Sequence, residues 1–216
     1  MNIIQKLSPN FHIGRNGKKI IAIVDHITAG AFPGCLSWLC NPKAQASSHY
    51  LVTKKGVIYQ LVLDENTAWH AGVVHDCKWL LYDGSNPNYC TIGIEHEALA
   101  GEALTEPQYQ ATLWLHRQLV EKYKIPIDGL HIVKHSAINA GHICPGAGFP
   151  WNRLFSDLEG DGYVADVKIV VDGKLMKGVL LKDGLSYAPV RALGEALGCK
   201  VGWDDATKTV TLTKGV

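Results

Sequence analysis

Apolar positions before residue 155 fall into two spacings. In KKIIAIVDHITAG, residues 18–30, the run from Ile20 to Ile27 is nearly unbroken, with Lys18 and Lys19 on one side and Thr-Ala-Gly on the other. A short run rich in β-branched residues between such bounds predicts a buried strand ending at His26. Residues 105–124 follow the helical spacing instead, with Ala111, Leu115, Leu119 and Tyr123 recurring every four positions on one face. Thr105 and Gln108 form a Thr-x-x-Gln capping box at its start, and Ile125-Pro126 ends it, because the residue before a proline avoids helical geometry. Apolar runs alternating with helical segments predict an α/β fold: a central mixed β-sheet covered by helices.

The pattern changes after LFSDLEGDGYVAD, residues 154–166. Val167, Ile169 and Val171 fall on one face at strand spacing, and two Asp-Gly steps, 172–173 and 183–184, carry the chemistry of hairpin turns. Pro189 can begin a helix with Val190, Leu193 and Leu197 as its stripe, and Gly198 can stop it. CKVGW and KTVTLT then read as strand, turn and strand. Two units follow, residues 1–158 and a small α+β module over 164–216, the latter marginal by size unless it packs on its neighbour.

Composition narrows the partners. A net charge of +1 over 216 residues gives no basic surface of the kind that nucleic acid requires. The start, MNIIQKLSPNFHIGRNGKK, has neither an apolar core segment nor a small-residue cleavage site. No run approaches the ~20 apolar residues of a membrane span, so synthesis in the cytoplasm without a signal peptide is expected. The six cysteines (35, 40, 77, 90, 144 and 199) lack the dense spacing of a disulfide framework. Apart from Cys144, they are expected to be buried thiols.

Candidate chemistry concentrates in HSAINAGHICPGAGFPW, residues 135–151, where His135, His142 and Cys144 sit within ten positions of a Gly- and Pro-rich stretch. Such a stretch is expected to be irregular, and side chains of these types held by a loop suit a metal. His26, at a strand end, is the natural further ligand. Three protein ligands leave a position for water, as catalytic zinc sites do, whereas closed structural sites use four. His12, His75, His116 and His131 have nothing converging on them and are expected to be surface or satisfied core residues. Glu95, directly after the apolar Thr-Ile-Gly-Ile, is conspicuous as a carboxylate in a strand, with Glu97 two positions on as its rival.

Five ordered motifs, VDHITAG, SSHYLVTKKGVIYQLV, NTAWHAG, TIGIEHE and KHSAINAGHICPGAGFPW, spread over residues 7–155, resemble the zinc-dependent N-acetylmuramoyl-L-alanine amidases of phage endolysins and bacterial autolysins, the amidase-2 group related to peptidoglycan recognition proteins. Residues 164–214 resemble the small module first named for the N-terminal domain of copper amine oxidases, with no implication of copper or amine oxidation. The first resemblance implies a zinc site at one edge of the sheet, with Zn2+ held by His26, His135 and Cys144, the last standing where many relatives carry Asp. It implies Glu95 as the group that handles the proton of the attacking water, and His142, where relatives often have Lys, as the stabiliser of the oxyanion. Thr28, Trp69 and His70 would line the substrate groove, and Ser48 stands where one branch places a tyrosine.

The implied activity is hydrolysis, by zinc-activated water, of the amide between N-acetylmuramic acid and L-alanine in bacterial cell-wall peptidoglycan. Two alternatives share the fold: a module that binds peptidoglycan without cutting it, and a cytoplasmic amidase that recycles muropeptides. A wall-acting enzyme made without a signal peptide would reach its substrate after release through a holin or by non-classical export. Residues 164–216 would then hold it on the wall. Nothing in the sequence speaks to the oligomeric state.

Overall fold

The computed structural model describes residues 1–159, 170–172, 174–175, 180–182, 185–187 and 189–214. Two compact units, Met1–Leu158 and Glu159–Val216, divide the chain. In the first, β1 (Ile3–Gln5), β3 (Ala22–Ile27), β4 (Tyr50–Val52), β5 (Ile58–Gln60), β7 (Thr91–His96) and β8 (Ile132–Lys134) form one sheet in the order β1-β5-β4-β7-β3-β8. All neighbours are parallel except β4 and β5, which makes the sheet mixed. Two short strands, β2 (Phe11–His12) and β6 (Thr67–Ala68), pair antiparallel beside it.

Alternation along the strands separates two faces. Ile23, Ile92, Ile94, Tyr50, Val52, Ile58 and Ile132 meet Tyr109, Ala111, Leu115 and Leu119 of α2 (Glu106–Tyr123) and Leu154 and Leu158 of α4 (Trp151–Leu158). This is the main core, and each fully buried Ile or Leu contributes about 1.5–3 kcal/mol by leaving water. Helix α2 begins at the capping box, with Thr105 accepting the Gln108 N–H and Gln108 accepting that of Thr105, and stops at Lys124, whose φ of 56° is left-handed. The other face carries Ala22, Val24 and Val133 under Ala71, Trp79, Cys90 and Ile138. Beyond them Leu51 and Leu61 pack with Cys35 and Leu39 of α1 (Gly34–Leu39).

The strand around His26 begins two residues later than the apolar run and ends at Ile27, because Ile21 is partly exposed and its N–H goes outside the ladder, to the Cys90 carbonyl. Nor is the 135–151 stretch irregular throughout. His135–Ile138 winds a single helical turn, α3, directly after β8, and α4 follows Pro150, whose carbonyl accepts the Leu154 N–H.

In the second unit, β9 (Val170–Val171) pairs antiparallel with β10 (Lys174–Leu175), β11 (Leu180–Lys182) with β12 (Leu185–Tyr187), and β13 (Cys199–Asp204) with β14 (Thr209–Lys214). The first two pairs bracket the Asp-Gly steps, although Gly173, Asp183 and Gly184, like Val167 and Ile169, lie outside the described residues. Helix α5 (Val190–Ala196) starts after Pro189, and Gly198, at φ +73°, follows it. Its contact face differs from the expected stripe. Val190 and Leu197 are about half exposed, while buried Gly194 brings the helix backbone against Leu212 and Val201 of the β13–β14 hairpin.

Candidate metal centre

The β3–β7 register sets His26 directly opposite Glu95, and side chains paired in this way on parallel strands project from the same face. On the other flank of β3, Lys134 pairs with Asp25, so the chain leaves β8 beside His26 and His135 opens α3 there. The loop returns Cys144 to the same spot, where its Sγ accepts the Ile27 N–H at 3.2 Å and its carbonyl accepts the Ser136 N–H at 3.1 Å. One ligand atom each from His26, His135 and Cys144 lies within 4.8 Å of the others. The cluster therefore sits where β3 meets the edge strand β8.

Two imidazoles and a thiol suit a thiophilic divalent ion, and ligands about 2.0–2.3 Å from zinc would need only modest contraction of this cluster. Electrostatics point the same way. Burial, with help from neighbouring imidazoles, holds His26 well below the usual histidine range, and burial with His142 nearby brings His135 down to about 4. Burial also pushes the Cys144 thiol up to about 12 and the Glu95 carboxyl up to about 8. Without a cation all four groups are driven toward neutrality, and the buried Oε2 of Glu95 has no hydrogen-bond partner. A cation in the cluster would reverse the first tendency by favouring both anions.

The rival carboxylate is committed elsewhere. The strand ends before Glu97, whose Oε1 accepts the Phe32 N–H at 2.9 Å and whose Oε2 accepts the Lys54 N–H at 2.8 Å. His142 is exposed and stacks on the His135 ring, centroids 4.8 Å apart. The expected groove residues divide. Both ring nitrogens of His70 meet protein: Nδ1 lies 3.1 Å from His26 Nε2, and Nε2 lies 3.1 Å from Thr91 Oγ1. Thr28 donates its hydroxyl to the Gly30 carbonyl at 2.6 Å and accepts the Ala98 N–H, which holds the turn after β3 and leaves no proton for a ligand. Trp69 leans on His12 at 5.1 Å with its indole N–H buried and unpartnered. Ser48 is buried and donates to the Tyr50 carbonyl.

Thr91, Gly93 and His49 were missed by sequence reasoning. Gly93 accommodates His70, whose ring would overlap a Cβ there, and its N–H is accepted by His49 Nδ1 at 3.0 Å. Thr91, Gly93 and Glu95 share one face of β7 at two-residue spacing, a signal present in TIGIEHE once the strand is recognised. Among the remaining histidines, His116 is buried with Nε2 3.2 Å from Asp25 Oδ2, His131 meets Asp128, and His75 bridges to Asn139. All six cysteines are free thiols. Cys35 and Cys90 are buried as expected, but Cys40, Cys77 and Cys199 are only partly covered: Cys40 follows the last turn of α1 and Cys199 opens β13.

Residues 16–147 match the family model for N-acetylmuramoyl-L-alanine amidase, and residues 170–216 match that for the copper amine oxidase N-terminal domain. N-acetylmuramoyl-L-alanine amidase A of Achromobacter lyticus is 32% identical over 162 residues, covering 65% of this chain and 84% of that protein. AmiD of Escherichia coli, solved with anhydro-N-acetylmuramic acid-L-Ala-D-gamma-Glu-L-Lys, is similar with a TM-score of 0.55 at 30% identity, over 63% of this chain and 56% of AmiD. The chain thus spans little more than half of AmiD. An AmpD structure shares the fold with a TM-score of 0.56 at 24% identity, over 71% of this chain and 93% of AmpD.

Proposed function

Because this chain belongs to the N-acetylmuramoyl-L-alanine amidase family, we propose that it is a zinc hydrolase that cuts peptidoglycan between N-acetylmuramic acid and L-alanine. The observation that carries the reading is the convergence of His26, His135 and Cys144 beside a buried Glu95 oxygen with no partner. Zinc held by the three side chains would supply Lewis acidity, polarising the scissile carbonyl and acidifying water.

The residues around it have distinct tasks. Glu95, level with His26 and with a buried oxygen that no protein group occupies, accepts a proton from the attacking water and passes it to the departing L-alanine nitrogen. His142, exposed beside His135, donates an N–H to the carbonyl oxygen as negative charge develops. Trp69, partly exposed one position before His70, packs beside the sugar or peptide of the substrate in this reading. A complete ligand set including Cys144 favours cleavage over binding alone. The second unit adds contact with the wall polymer, on which the protein acts after leaving the cell where it is made.

Incubating the full chain with purified cell walls tests the reading. The expected products are new L-alanine amino termini without new reducing sugar ends, abolished by a strong chelator and restored by zinc. Reducing ends would make it a glycosidase, and chelator-resistant cleavage would remove the metal.

A further inference from the structure

We infer that His70 is a positioning residue: by accepting the Nε2 proton of His26 it commits His26 to present Nδ1 to the ion. The inference rests on the zinc reading above and deepens it.

A hydrogen-bonded row running from Pro87 through Thr91 and His70 to His26 fixes where each proton sits. The Pro87 carbonyl can only accept, and Thr91 Oγ1 lies 2.8 Å from it. A hydroxyl has a single proton, so the Thr91 proton goes to Pro87 and Oγ1 faces His70 as an acceptor. His70 Nε2, 3.1 Å away, therefore carries the hydrogen of that contact. A neutral imidazole protonated at Nε2 has a bare Nδ1. That nitrogen lies 3.1 Å from His26 Nε2, and two lone pairs at this distance would repel, so the proton between them belongs to His26. His26 Nδ1 is then the nitrogen left with a lone pair for the cluster with His135 and Cys144.

The row is anchored at both levels. Residues Pro87–Tyr89 form one short turn that supplies the Pro87 carbonyl and also Asn88, whose Oδ1 accepts the backbone N–H of His70 at 3.2 Å. Gly93, lacking a side chain, lets the His70 ring lie flat against β7. Partners that fix the tautomer of a metal-bound histidine typically carry 10–100-fold in metal affinity.

The test uses the full chain labelled with 15N at histidine. Without metal, the imidazole resonances of both His26 and His70 are expected to show protonated Nε2 and bare Nδ1; on adding one equivalent of zinc, His26 Nδ1 should shift while its Nε2 stays protonated. A His26 bearing its proton on Nδ1, or coordinating through Nε2, overturns the inference. Competition with a chromophoric chelator supplies the second readout. His70→Leu should weaken zinc binding by about 10–100-fold, and His70→Gln, which can still offer an acceptor oxygen, should recover part of it. Unchanged affinity in a folded His70→Leu also overturns the proposal. If the wild-type chain shows the expected tautomers but binds no zinc, the hydrolase reading fails and the row of hydrogen bonds stands.

Discussion

Glu95 and Glu97 lie two positions apart and serve opposite ends. Both oxygens of Glu97 are taken by backbone N–H groups of Phe32 and Lys54, whereas Glu95 keeps a buried oxygen unpartnered beside His26. Glu95→Gln is accordingly expected to lower turnover by about 10²–10⁴ with zinc still bound. Glu97→Gln, which disturbs loop anchors, should cost about 1–3 kcal/mol of unfolding stability and little turnover. Kinetics on a soluble muropeptide and denaturant melts of both variants check this, and a reversal would move the base to Glu97. His49 gives a pH signature. Burial, with the Arg15 guanidinium beside it, lowers it from the ordinary 6.5 to about 3. The unfolded chain therefore binds a proton that the folded chain refuses. Stability is full above pH ~6.5 and falls as the pH drops toward 3, by about 1.4 kcal/mol per unit for this one group. The stability of His49→Gln, measured from pH 7 to 4, should fall less steeply than wild type. Equal slopes would show that His49 does not titrate this way.

Helix α2 illustrates how local signals and tertiary contacts reinforce one element. Thr105 accepts the Gln108 N–H and donates to the Lys54 carbonyl at 2.5 Å, while Gln108 reaches the carbonyls of Val52 and Glu97. The cap thus ties the helix start to the ends of β4 and β7, the strand that carries Glu95. Thr105→Ala should cost about 0.5–2 kcal/mol as the loss of a helix cap, measured by denaturant unfolding. A cost near zero would mean that Gln108 alone holds the junction. Strand β7 works by omission: Gly93 leaves room for His70, and the β3–β7 register then puts Glu95 level with His26.

For the whole molecule, every proposed ligand and catalytic group belongs to Met1–Leu158, and the described residues of Glu159–Val216 contain no member of the metal cluster. A second unit that binds the same polymer raises the effective concentration of the first at its substrate. A chain ending near residue 161 is expected to cleave a soluble muropeptide at close to the full rate. On intact walls it should act at least tenfold more slowly, since tethering gains commonly exceed 10². Paired assays on the two substrates decide. Equal losses on both would assign the second unit to holding the first together.

Local chemistry determined the strand that ends near His26, the capped helix over 105–124, the hairpin order of the second unit and the motif series that identifies the family. Each depends on residues a few positions apart, whose periodicity, caps and turns act on the backbone directly. The buried Glu95 is intelligible from TIGIEHE, but its precedence over Glu97 is not, because the partners of Glu97 come from Phe32 and Lys54. Motif order likewise placed His70 near the site without showing that it stands behind His26, with no nitrogen free for substrate. Those outcomes follow from the parallel register of β3 against β7 and β8 and from the path by which the 135–151 segment returns to Ile27. Pairings between segments tens of residues apart are set by burial and hydrogen bonding across the assembled sheet, so only the tertiary structure decided them.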